Sequence, residues 1–188
     1  MNFLFMGLDL SLRATGIVVI REGSPEPDIV LARTVGFLLN ETASDQARQL
    51  RRWKIADAID GVLRELEAGG HGVCAGIGVE GLAFSRAGKS NSVTELAALQ
   101  GTVTALLYER RKALPFILSA SEARKQAFGK NVAKKDVASL LQDKRNQLKD
   151  ADQMDAYVIA VGTWRKIKPD VHHAISSARR RRSWNGAD

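Results

Sequence analysis

The chain has 188 residues, 45% of them apolar and 26% charged, which suits one domain with a sizeable core. That composition excludes wholesale disorder, and no apolar run approaches the ~20 residues that a membrane-spanning helix needs. A net charge of +7 and a pI near 9.8 point to a polyanionic partner such as nucleic acid, with an ordinary basic protein as the bland alternative.

The amino-terminal stretch to Leu12 is apolar but has no basic leader and runs into Asp9, so no signal peptide is expected. Phe3 to Leu8 has too little alternation for an exposed strand and reads as one covered on both faces, ending at Asp9. Arg13 to Gly16 turns the chain, the β-branched run Ile17 to Ile20 returns it, and Val30 to Phe37 supplies a third strand, giving an antiparallel meander. A helix follows from Ser44, its N-cap, to Ala68, stopped by Gly69 and Gly70.

Val73 to Val79 is a second buried strand closing at Glu80, followed by a polar loop over Ser85 to Ser92. Helix is expected from Val93 to about Lys112, a short strand at Pro115 to Leu118, and a helix capped by Ser121 and broken by Gly129. Two more helices, Lys134 to Leu148 and Ala151 to about Lys166, complete the pattern, with Pro169 ending the last. The order implies an α/β fold with a mixed sheet, meander plus parallel strands, and helices on its faces. One domain is expected over 1–168, with 169–188 a basic and flexible tail.

Charge is unevenly distributed. Residues 1–120 hold 13 basic and 13 acidic side chains, 121–149 hold eight and three, and 164–188 hold seven and two. Between the two basic blocks, 150–163 carries Asp150, Asp152 and Asp155 and no basic residue. Asp152 and Asp155 are three apart, hence on one face of a helix otherwise small or apolar, and Asp9 and Glu80 each end a buried strand. Ligands of open α/β sheets bind at such carboxyl ends.

Gathering four carboxylates is costly unless cations neutralise them. Hard oxygen donors favour Mg²⁺ or Mn²⁺, and two such ions roughly 3.5–4 Å apart suit phosphodiester cleavage. Singly, each acid has a plainer use: Asp152 complements a helix dipole, Asp9 caps a turn, and Glu80 pairs with Arg86 or Lys89.

Gly7-Leu-Asp9-Leu-Ser-Leu-Arg-Ala-Thr-Gly16, Val79-Glu80 and Asp152-Gln-Met-Asp155-Ala-Tyr-Val-Ile-Ala resemble the acidic motifs of RuvC, the Holliday-junction resolvase family, and especially its bacteriophage members. The resemblance runs from residue 3 to about 165. It implies an RNase H-like fold, a homodimer, two Mg²⁺ or Mn²⁺ ions held by Asp9, Glu80, Asp152 and Asp155, and paired nicking of branched DNA in the cytoplasm of a bacterium or phage host. It also implies catalytic roles for Lys125 and Lys135, with Lys134 an equal candidate to Lys135. Phe84 falls in the loop that carries an aromatic wedge in the family, one residue further from the glutamate. Phe84, Arg86, Lys89, Lys125, Lys130, Lys134 and Lys135 are the expected DNA contacts. Leu10-Ser11 and Gly81 depart from the cellular pattern, which bears on cleavage-site preference and strict four-way selectivity.

Among the remaining candidates, His71, His172 and His173 lack a chelating partner at sensible spacing. Cys74 reads as a small core residue and permits no internal disulfide, in keeping with a reducing compartment. Arg179 to Arg182 with Trp184 reads first as a solubilising end and second as a phosphate contact. Apolar residues on more than one face of the Val93–Lys112 helix suit ordinary burial, while the resemblance implies that the corresponding helix belongs to a dimer interface, which favours a two-fold dimer. A broader branched-DNA or flap endonuclease is the nearest alternative function. An actin-like phosphotransferase is disfavoured by the short chain, and a non-catalytic DNA binder by four acids beside the phosphates.

Overall fold

The computed structural model describes residues 2–23, 26–39, 43–82 and 90–184, with the side chains of 90–92 and 169–184 left aside. Five strands, β1 (Phe3–Asp9), β2 (Thr15–Arg21), β3 (Asp28–Val35), β4 (Val73–Glu80) and β5 (Phe116–Leu118), form one sheet in the order β3-β2-β1-β4-β5. The β1-β2-β3 meander is antiparallel, and β4 and β5 join β1 in parallel. The helices are α1 (Asp45–Ala68), α2 (Ser90–Arg111), α3 (Ala120–Phe128), α4 (Val137–Leu140) and α5 (Ala151–Trp184). This is the mixed α/β sheet expected from the sequence, with helices on both faces.

The period-two alternation of β1 divides its side chains between two cores. Leu4, Met6 and Leu8 join Ile17, Val19, Ile77 and Val79 under α1 and α2. Phe5 joins Val18 and Ile20 under α5 and α3, against Ala156, Ile159, Ala160 and Trp164. Each fully buried aliphatic side chain contributes about 1.5–3 kcal/mol, so covering both faces favours unbroken apolar strands over alternating ones.

Ser44 caps α1, its Oγ accepting from the Ala47 N–H at 3.2 Å. Farther along, α1 is tied to α2 through Asp60, whose buried carboxylate meets Arg111 Nε at 2.5 Å, Arg110 Nη1 at 2.8 Å and Arg64 Nε at 3.3 Å. Burial pushes the Asp60 pKa up, but the hydrogen bonds and charges of Arg110 and Arg111 outweigh it and hold the group below the ordinary carboxylate range.

Three expectations need correction. Ser119, not Ser121, caps α3: Leu118 is fully buried at the strand end, so the chain turns at once and Ser119 Oγ accepts from the Glu122 N–H at 3.2 Å. The segment 134–148 is not one helix but a 3₁₀ turn (Lys134–Asp136), the short α4 and a second 3₁₀ turn (Gln142–Lys144). Its buried side chains are Val137, Leu141 and Leu148, too few to hold a long helix on the core. Pro169 does not end α5, which runs on to Trp184. Proline costs a helix interior about 3 kcal/mol, yet the run that follows holds alanines and arginines and no glycine before Gly186.

Candidate active site

The strand acids lie on the α5 face because of the same alternation. On β1 the row facing α5 is Phe5, Gly7, Asp9, and on β4 it is Gly76, Gly78, Glu80. A Cβ on Gly7 would overlap the backbone of Ala156 and Ala160, and one on Gly78 would overlap the Thr163 side chain. Gly16, paired with Asp9 across the β1–β2 ladder, has the Asp152 carbonyl in the same position. Glycine rows therefore let α5 lie directly on the sheet, and each row ends in a carboxylate where the helix begins.

The start of α5 is fixed by its cap. Asp150 Oδ1 accepts from the Gln153 N–H at 2.8 Å, while Gln153 Oε1 accepts from the Lys149 N–H at 2.9 Å. Thr34 of β3 donates to Asp150 Oδ2 at 2.6 Å and accepts from Gln153 Nε2 at 3.0 Å, tying the helix start to the sheet edge. The cap is thus Asp150, Asp152 stands in the first turn and Asp155 in the second, both within electrostatic reach of Asp9.

Burial first, then the charges of Glu80, Asp155 and Asp152, push the Asp9 pKa up to about 7, against an opposing effect of Lys134. Glu80 is raised by burial and then by Asp155, with Lys134 and Arg124 opposing. Asp152 is raised by burial, then by Asp150 and Asp155. Lys134 Nζ lies 2.7 Å from Asp155 Oδ2, and that hydrogen bond, aided by the charges of Asp155, Asp9 and Glu80, holds the ammonium above its ordinary value despite partial burial. Asp9, Glu80 and Lys134 line a cleft of about 240 Å³, closed on the other side by Leu96 and Gln100 of α2.

Of the two lysines weighed for this position, Lys134 is the one against the acids, and Lys135 is exposed. Lys125 and Lys130 are exposed too. Arg124, next to Lys125, faces inward: Nε donates to the Val132 carbonyl at 2.8 Å, bracing the loop that leads to Lys134, and its charge is felt by Glu80. Sequence reading missed Arg124 and Gln100. The buried Ala123 is the signal that fixes the phase of α3 and turns Arg124 inward. Phe84, Arg86 and Lys89 lie outside the described residues. Cys74 packs at the edge of the core, and burial pushes its thiol up to about 11, as a structural cysteine requires.

Four carboxylates without thiol or imidazole form a hard-oxygen donor set, suited to Mg²⁺ or Mn²⁺. In the arrangement seen, no group of three or more His, Cys, Asp or Glu among the described residues is drawn into a ready-made metal site, and the ammonium of Lys134 provides the counter-charge at Asp155. The donor chemistry therefore fits a divalent ion.

No protein-family model matches the chain, and no curated protein sequence does. Solved structures do. Thermus thermophilus RuvC in complex with Holliday junction substrate superposes with a TM-score of 0.62 at 17% identity, over 85% of this chain and 91% of that one. A second Thermus thermophilus RuvC structure gives 0.60 at 20% identity, over 86% and 92%. The yeast mitochondrial Holliday junction resolvase Ydc2 gives 0.60 at 14% identity, over 93% and 82%. At such identities the likeness concerns architecture, and with the strand order above it shows that this chain has the RNase H-like fold of the RuvC-type resolvases.

Proposed function

We propose that the protein is a metal-dependent endonuclease selective for branched DNA, resolving four-way junctions by paired nicks. The observation that carries this reading is the convergence of Asp9, Glu80, Asp152 and Asp155 at the carboxyl edge of the sheet, where burial first and then the charges of the other three raise Asp9 to about 7. Asp9, Glu80, Asp152 and Asp155 would hold Mg²⁺ or Mn²⁺, two per site. When bound, such ions supply a water activated for attack and charge stabilisation for the departing 3′-oxygen. Lys134, with a side chain 71% exposed, has the freedom to leave Asp155 and hold a phosphate oxygen of the strand to be cut.

The exposed Lys125, Lys130 and Lys135 lie on the elements flanking this cleft and supply a positive approach for a DNA backbone. Opposed nicks call for two active sites, hence a homodimer. On α2, the helix for which the resemblance implies pairing, Leu99, Val103, Leu106 and Leu107 are buried in the core, as ordinary burial requires. The exposed stripe of Ala97, Gly101 and Ala105 beside Tyr108 on α2 supports pairing, since small side chains allow close approach.

The test is cleavage of labelled four-way, three-way and flap substrates with and without Mg²⁺. Asp9→Asn and Glu80→Gln are expected to retain junction binding and lose Mg²⁺-dependent cleavage. Cleavage by Asp9→Asn at the wild-type rate would remove Asp9 from the mechanism, and equal rates on all substrates would defeat junction selectivity.

A further inference from the structure

Residues 1–120 are neutral when summed along the chain, yet four of their arginines come together in space. Arg48, Arg51 and Arg52 lie at i, i+3 and i+4 on one face of α1. Arg13 sits in the turn between β1 and β2, which is pinned by Thr15 Oγ1 donating to the Ser11 carbonyl at 2.6 Å. Gly36, just past β3, packs against the Arg13 carbonyl so closely that a Cβ there would overlap it. That contact sets the turn against the end of β3, where Gly36 and Phe37 line a groove with Leu50 and Arg51 of α1.

Like charges four apart weaken a helix; Arg52 is bonded to Glu95 at 2.8 Å, and Arg48 Nε donates to the Ala43 carbonyl at 3.2 Å. Arg51 Nε is buried and, among the described residues, has no acceptor. Burial, then the charges of Arg48, Arg52 and Arg13, push its guanidinium below the ordinary value, while Glu95 acts the other way. Buried guanidinium donors without an acceptor are rare in folded proteins because each forfeits its hydration. Arg51 also lines a groove of about 450 Å³ with Phe37 and Lys54, the Lys54 ammonium standing 5.8 Å from the Phe37 ring. The cluster adjoins the carboxylate cleft at two points: Arg13 lies in the turn that follows Asp9 and Leu10, and Glu95 precedes Leu96, a wall of that cleft.

We propose that Arg13, Arg48, Arg51 and Arg52 form a phosphate-binding face that takes the backbone of one DNA arm beside the carboxylate cleft. The face rests on the nuclease reading for its partner and adds to it a second basic surface, apart from the lysines of 121–149. Guanidinium forks suit this task because they match phosphate oxygens two at a time. Arg51 supplies a desolvated donor near the apolar groove and Arg13 an exposed one in the turn that follows Asp9 and Leu10.

The experiment is four-way junction binding by fluorescence anisotropy in EDTA across a salt series, for wild type, Arg13→Gln, Arg51→Gln, the double variant and Arg51→Lys, with thermal melts to show that each is folded. Each neutral single variant is expected to weaken binding about threefold to tenfold and to lower the magnitude of the log–log salt slope by about 0.9 for each phosphate no longer neutralised, with Arg51→Lys intermediate. A folded double variant with unchanged affinity and slope, in a protein that binds and cleaves junctions, overturns this face and leaves the nuclease reading standing. Failure of the wild type to bind any junction overturns both. Because Arg13 is exposed, Arg13→Gln keeps the test decisive even where the partly buried Arg51 proves necessary for folding.

Discussion

Gly16 and Asp152 meet backbone to backbone, so close that a single methyl group on Gly16 would overlap the Asp152 carbonyl oxygen. Gly16 is also the ladder partner of Asp9. With Gly7 and Gly78, this glycine thus sets how near the helix acids come to the strand acids. Gly16→Ala is expected to cost about 1–3 kcal/mol by overpacking, measured by urea denaturation, and to weaken Mn²⁺ binding. Gly61→Ala is the control: its Cβ would meet Arg64 Nη2 at an ordinary 3.9 Å, and the substitution is expected to stabilise α1 by about 0.5–1 kcal/mol. Equal stability of the two variants would contradict the role given to Gly16.

The carboxylates make stability depend on pH in two opposite ways. Asp9, with a folded pKa of about 7 against an ordinary 3.8, binds its proton more tightly folded than unfolded. Its contribution is therefore present in acid and is lost as pH rises from about 4 to about 7. Glu80 and Asp152, raised as well, act in the same sense. Asp60 is lowered, so its contribution is present above the ordinary carboxylate value and is lost as pH falls through its own. Urea melts in EDTA should show Asp9→Asn flattening the decline between about pH 4 and 7, and melts of the wild type with Mg²⁺ in place of EDTA should do likewise. A wild-type curve rising steadily through that window would count against the clustered acids.

Lys134 holds Asp155 at 2.7 Å, the place a divalent cation would take under the proposed function. Lys134→Gln is expected to bind Mn²⁺ about tenfold more tightly in calorimetry, since a like charge is removed from the cation's surroundings. Lys134→Arg should behave as wild type in binding. Weaker Mn²⁺ binding by Lys134→Gln would mean that the lysine organises the carboxylates instead of competing for them.

Asp60→Asn removes the charge that Arg111 and Arg110 surround. Arg111, with a side chain 17% exposed, keeps Glu67 at 2.6 Å but loses its buried partner. The expected loss is about 3 kcal/mol in denaturant midpoint analysis, with junction cleavage intact below the melting temperature. Arg111 lies at the carboxyl end of α2, toward Cys74, whereas the cleft is walled by Leu96 and Gln100 near the other end. A loss of cleavage in folded protein would show coupling along α2.

Much of this was legible in the residues themselves. Unbroken apolar runs marked β1 and β4 as doubly covered strands, Ser44 and Gly69 bounded α1, and Asp9, Glu80, Asp152 and Asp155 stood out because carboxylates at such places need a reason. These features are local: they depend on period, on caps and on what an element must bury. Which lysine meets the acids, which of Arg124 and Lys125 turns inward, and whether 134–148 forms one helix depend on how many side chains reach the core. That is decided between elements, not within them. The arginine face shows the difference most plainly. Charge summed along 1–120 cancels, but Coulomb's law acts through space, and only the packing of the β1–β2 turn, the end of β3 and the first half of α1 brings Arg13 beside Arg48, Arg51 and Arg52.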